Sequence, residues 1–168
     1  MSGSTFPIEH CIPHRGAMRL VDRLIEAGEE HAVAEVDVPA EGLFVRDGGV
    51  PAWVGIEYMA QTISAWAGAR ALRTGGTPKL GFLLGTRRYD AQRASFPCGA
   101  TLRIETRCEL MASNGLGQFD CRILLEGAAV AAARLSVFEP DDASIVLNAV
   151  ASKVTPKVPP AATSKATP

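Results

Sequence analysis

The stretch Pro51 to Ala69 reads PAWVGIEYMAQTISAWAGA, apolar on nearly every face, with Glu57 as its one ionisable side chain. A helix that is hydrophobic all round has to be enclosed by other elements, so this segment predicts a central helix rather than a surface one. Pro51 sits where helices often begin, because its missing N–H would find no partner there, and Gly75-Gly76 supplies the stop after about Arg73. Placing a carboxylate in such a helix is costly unless something uses it, which makes Glu57 the leading chemical candidate in the chain. The length also raises a membrane span, since about 20 apolar residues cross a bilayer. Glu57, Gln61, Thr62 and Ser64 argue against it, because a charge at mid-helix costs about 2.5 to 3.5 kcal/mol on insertion scales.

The flanking segments read as strands. Ala17 to Glu26, a turn at Gly28 and His31 to Val38 predict a hairpin in which Ala32, Ala34, Val36 and Val38 share one face. A loop rich in Gly and Asp, Glu41 to Gly49, leads into the helix. Beyond it, Lys79 to Gln92 reads as a strand with a bulge or close approach at Gly81 and Gly85. Leu102, Ile104, Cys108 and Leu110 then alternate with Arg103, Glu105, Arg107 and Glu109. Asn114-Gly115 signals a type I′ hairpin, Phe119 to Leu125 forms the next strand, and Glu126-Gly127 turns into Ala128 to Phe138. Two strands, one long apolar helix and four mostly antiparallel strands predict an α+β domain with the helix wrapped by a sheet of about six strands. That is the hotdog layout. One sheet covers one side of the helix, so a partner protomer is expected to complete it.

With 168 residues, 47% hydrophobic content and a net charge of −1, the chain fits one globular domain and offers no basic footprint for nucleic acid. The start, MSGSTFPIEH, reads as no secretory leader, which points to the cytoplasm. Cys11, Cys98, Cys108 and Cys121 lack CxxC spacing, and with only His10, His14 and His31 available no metal site is expected. Residues 1–140 read as the folded domain. From 141 to 168 the composition turns to Pro, Ala, Ser and Thr, as in a flexible tail, although 145–151 could form an apolar element that docks back.

PHRGAMRLVDR (Pro13 to Arg23) resembles the PHR…LVDR opening of the 3-hydroxyacyl-ACP dehydratases of fatty acid synthesis. PAWVGIEYMAQ (Pro51 to Gln61) resembles their helix with its Glu-x-x-x-Gln pattern, and GFLLGTRRYDAQRASFPCGATLRIET (Gly81 to Thr106) the strand pair that follows. The similarity covers about residues 12 to 138. The VPAWVGIE wording is closer still to the dehydratase-like branch of aryl-polyene pigment pathways.

The resemblance implies elimination of water from a 3-hydroxyacyl thioester carried by the phosphopantetheine arm of an acyl carrier protein, with no cofactor. Glu57 matches the family carboxylate, about two turns into a helix begun at Pro51, and Gln61 falls on the same face. The N–H of Ala52 takes the place of the thioester-polarising donor at the helix start. The family histidine lies in an NGHF segment, where this chain reads Glu41-Gly42-Leu43-Phe44. Leu43 cannot carry a proton, and His14, in a loop able to reach a dimer interface, is the available substitute. Glu57 could instead belong to a structural network with Gln61 or Tyr58. Trp53, Met59, Ile63 and Trp66 are candidates to line an acyl tunnel or to serve in core and interface packing. Arg87, Arg88 and Arg93 are candidates to attract the acidic carrier or its phosphate, or form a solvated surface. His31 is expected to be solvated beside Glu35. Three functions follow: a dehydratase acting as a homodimer, a catalytically incomplete subunit completed by another hotdog subunit, or an acyl thioesterase using the same helix carboxylate.

Overall fold

In the computed structural model, which describes residues 6–154, the apolar stretch becomes α2 (Gly55–Arg73), with Met59, Gln61, Thr62, Ala65, Trp66 and Ala69 all but sealed from solvent. Ahead of it run α1 (Ile8–Cys11), β1 (Arg23–Ala27), β2 (His31–Asp37) and the short β3 (Gly49–Pro51). After it come β4 (Phe82–Ala91), β5 (Ser95–Pro97), β6 (Thr101–Met111), β7 (Leu116–Leu125), β8 (Ala128–Phe138) and α3 (Ala143–Val154). Six strands make one antiparallel sheet in the order β1-β2-β6-β7-β8-β4, while β3 and β5 form a separate ribbon. Two strands of the sheet precede the helix and four follow it, as the alternation predicts. The protein has the α+β hotdog fold.

The sheet closes over α2 because alternate residues face it. Leu102, Ile104 and Thr106 of β6 and Phe119, Cys121 and Ile123 of β7 are buried against the helix. Their neighbours form a charged outer face, with Arg122 to Glu105 at 2.8 Å, Arg134 to Asp120 at 2.7 Å and Arg23 to Asp37 at 2.6 Å. The alternation fails at Leu110, which is exposed, because a bulge between Cys108 and Leu110 turns it out. His31 sits beside Glu26 at 2.9 Å rather than Glu35. No helix among the described residues is long and apolar enough to cross a membrane.

Four boundaries differ from expectation. Pro51 ends β3, and α2 begins at Gly55 after a 3-10 turn over Ala52–Val54. The first strand starts at Arg23 instead of Ala17, because Gly16 adopts φ 57° in a 3-10 turn and the N–H groups of Leu20 and Val21 are taken by the Gln61 side chain. Asn114-Gly115 does not make a type I′ turn. Gly115 alone has positive φ, its N–H bonds to Ala112, and the hairpin has a three-residue loop. The paired positive φ values of that turn type occur at Glu126 (51°) and Gly127 (80°). Part of the tail, Ala143–Val154, is helical, and the remainder, from residue 155, lies outside the described residues.

Candidate active site

Glu57 is the third residue of α2 and not two turns within it, so its carboxylate lies beside the positive end of the helix dipole. It is not sealed in: its side chain keeps 37% of its exposure. Gln61, one turn on, holds it. The Gln61 amide nitrogen donates to Glu57 Oε1 at 2.9 Å and to the Met18 carbonyl at 2.8 Å. Its oxygen accepts the N–H groups of Leu20 at 2.9 Å and Val21 at 3.4 Å. Gln61, expected on the Glu57 face as a substrate-binding residue, is fully buried, and these bonds occupy its amide.

His14 reaches the same carboxylate from the other side, with Nε2 3.7 Å from Glu57 Oε1 within one chain. Two features place it there. Ile8, Cys11 and Ile12 are buried against α2, and the absence of a side chain at Gly68 lets the Cys11 backbone lie directly on the helix. Arg15 then ties the loop, donating to the carbonyls of Ile12 at 2.5 Å, His14 at 2.8 Å and Glu9 at 2.8 Å. His14 Nδ1 is buried and has no hydrogen-bond partner among the described residues. Sequence reasoning missed Gly68 and Arg15 as supports. Arg15 was visible in the PHR motif, whereas Gly68 gave no local signal.

His14 and Glu57 open onto a cavity of about 120 Å³ whose walls include Ile63, Trp66, Phe82 and Phe119. Trp66 is fixed by an edge contact to Phe119 at 5.2 Å and by the Arg70 guanidinium 4.6 Å above its ring. Met59 is core, and Ile63 and Trp66, buried as well, border this cavity. Trp53 is 61% exposed and meets Phe44 edge-on at 5.9 Å, away from this cavity and open to interface packing. The Ala52 N–H donates to the Ala94 carbonyl at 2.9 Å, so it is not free to polarise a substrate. Leu43 is exposed and borders a different cavity, of about 320 Å³, with Phe44 and Tyr58.

Near the helix start, the Tyr89 hydroxyl donates to the Ala52 carbonyl at 2.5 Å, and burial pushes the phenols of Tyr58 and Tyr89 up to about 12. Arg87 and Arg88 precede Tyr89 on β4 and border a groove on the outer face of the sheet. Arg88 pairs with Asp90 at 2.6 Å, which raises its guanidinium further. Arg93 lies next to Ala94, whose carbonyl binds the helix start. The four cysteines are unpaired thiols. Burial pushes Cys11 up to about 11 and Cys121 higher still, and among the described residues no His, Cys, Asp and Glu cluster could hold a metal ion.

The model of the ApeP-like family, described as ApeP dehydratase, matches residues 6–148. No curated protein matches the chain. Among solved structures, the dehydratase heterocomplex ApeI:P from Xenorhabdus doucetiae contains a chain 27% identical, at TM-score 0.80, the match covering 87% of this chain and 99% of that one. The PaaI protein of the E. coli phenylacetic acid degradation operon is 16% identical at TM-score 0.54, over 71% of this chain and 78% of that one. A hypothetical thioesterase from Streptococcus pneumoniae TIGR4, solved with coenzyme A, is 17% identical at TM-score 0.52, over 70% and 84%. The last two likenesses establish the fold alone.

Proposed function

The chain belongs to the ApeP-like dehydratase family, and from that premise we propose that it removes water from 3-hydroxyacyl thioesters held on an acyl carrier protein, with Glu57 and His14 as its catalytic residues. The observation that carries this reading is the 3.7 Å approach of His14 Nε2 to Glu57 Oε1 at the mouth of an apolar cavity. Glu57, an acceptor toward Gln61, takes the proton from C2 of the substrate. The protonated His14 imidazole gives its proton to the C3 hydroxyl, which leaves as water as the C2–C3 double bond forms. Transfer of the Glu57 proton to His14 restores the starting state. The thioester carbonyl is polarised by N–H groups of the helix start other than that of Ala52. Arg87 on the outer face of the sheet and Arg93 beside Ala94 present positive charge to an acidic carrier protein or its phosphate, with Arg88 beside Asp90 free to exchange partners.

A second reading makes the chain a catalytically incomplete subunit, completed in a heteromer by another hotdog subunit. Leu43, Phe44 and Trp53 leave an apolar patch beside the helix start, with Leu43 57% and Trp53 61% exposed. The similar chain from Xenorhabdus doucetiae comes from a heterocomplex. The patch would then receive another hotdog subunit.

The test is incubation of the purified protein, alone and with a companion hotdog subunit, with a 3-hydroxyacyl carrier-protein thioester, following the enoyl product by mass. Turnover by the isolated chain supports the first reading, and turnover only on mixing supports the second. No enoyl product under either condition would overturn both.

A further inference from the structure

The cavity at Glu57 has a neighbour along the helix, more open and lined largely by polar groups. A second cavity of about 360 Å³, reaching Arg70, Thr74 and Asn114, shares Trp66, Ala67, Lys79, Met111 and Glu139 with the first. Along α2, Glu57 to Ala67 is ten residues, or about 15 Å, and Thr74 lies a further ~10 Å on, at 1.5 Å per residue. Opened into one channel, the two cavities would take a much longer chain than the first alone.

The members of the shared wall differ in how far they can move. Trp66 is 1% exposed and clasped by Phe119 and Arg70, and Ala67 is part of the helix. Lys79 and Met111 are long and unbranched, and Met adapts readily to irregular space. Lys79 lies in the irregular segment between α2 and β4, held by an ion pair from Nζ to Asp141 Oδ1 at 3.1 Å, with the Asp141 side chain fully exposed. Exposed pairs of this kind contribute little, so the contact positions Lys79 without locking it.

We propose that Lys79 sets the length of acyl chain the slot accepts. Across the junction it limits a chain to the first cavity; turned outward, it joins the second. The inference rests on the acyl-thioester reading of the site, and its test reads binding, so the two can fail separately.

The experiment measures dissociation constants of saturated acyl-pantetheines, hexanoyl to octadecanoyl, which lack the hydroxyl needed for elimination. For the wild type, affinity is expected to tighten about fourfold per added methylene until the first cavity is filled and then to level off. In Lys79→Ala the tightening continues into longer chains, and Met111→Ala moves the same break point in the same direction. Acceptance of longer chains is a gain that a misfolded variant cannot produce. An unchanged break point in Lys79→Ala, whatever Met111→Ala does, overturns the role of Lys79 while leaving acyl binding intact. Absence of any chain-length dependence in the wild type overturns both.

Discussion

The amide nitrogen of Gln61 donates to Glu57 Oε1 across one turn of α2 at 2.9 Å, and the same amide grips the backbone at Met18, Leu20 and Val21. One buried side chain thus fixes the carboxylate and the strand entry together. Gln61→Leu keeps most of the volume but strands these backbone groups, at about 1–3 kcal/mol for each buried group left unpaired. Urea denaturation should register a loss of at least ~2 kcal/mol. A midpoint unchanged from the wild type would show that the bracket contributes nothing.

Glu57→Gln removes the proton acceptor while preserving shape. Dehydration, followed as enoyl product by mass, should fall roughly 100-fold or more, with the melting temperature held near that of the wild type. Retention of wild-type turnover would remove Glu57 from the mechanism.

His14→Asn should give a comparable loss of kcat with the fold retained, checked by turnover and thermal unfolding of the one variant. Wild-type turnover in this variant would remove His14 from the chemistry.

Gly68→Ala places a methyl group against the Cys11 carbonyl, where α1 rests on α2. The clash should cost about 1–3 kcal/mol and, by displacing the chain that leads into His14, lower kcat as well. Thermal unfolding and turnover of the one variant check both effects. Undiminished activity would mean that the docking of α1 does not position His14.

Hydrogen bonds from Arg23 and then Thr101 hold the Asp37 carboxyl at about 2, below its ordinary 3.8. Because the folded value lies below the unfolded one, the stabilisation is complete above 3.8 and is lost as pH falls through about 2. In Arg23→Ala the Asp37 titration, followed by carboxyl carbon chemical shift, should move back toward 3.8, and acid unfolding should begin at a higher pH. A titration that stays put would assign the effect to Thr101.

Much of the fold was legible because its signals are local. Leu102, Ile104, Phe119 and Ile123 announce a two-residue period, and the unbroken apolar run of α2 announces enclosure. The errors fell where a distant group took over a backbone position. Leu20 and Val21 give their N–H groups to Gln61, some forty residues away, instead of to a strand ladder. Ala52 gives its own to Ala94, which removes the donor expected from the helix start. Trp53 and Gln61, candidates for the substrate side of the helix, lie one outward and the other sealed inside.

The order of residues by itself therefore determined the elements, the enclosed helix and the presence of a carboxylate on it, since periodicity and side-chain chemistry are properties of short stretches. The sequence also offered His14 in place of Leu43, but only as one candidate. That its imidazole lies beside Glu57 in the same chain, that Gln61 acts as a bracket and that Lys79 stands where two cavities meet were decided by tertiary structure. These are distances between segments far apart in the chain, and the packing of α1, β2 and β6 on the helix sets them.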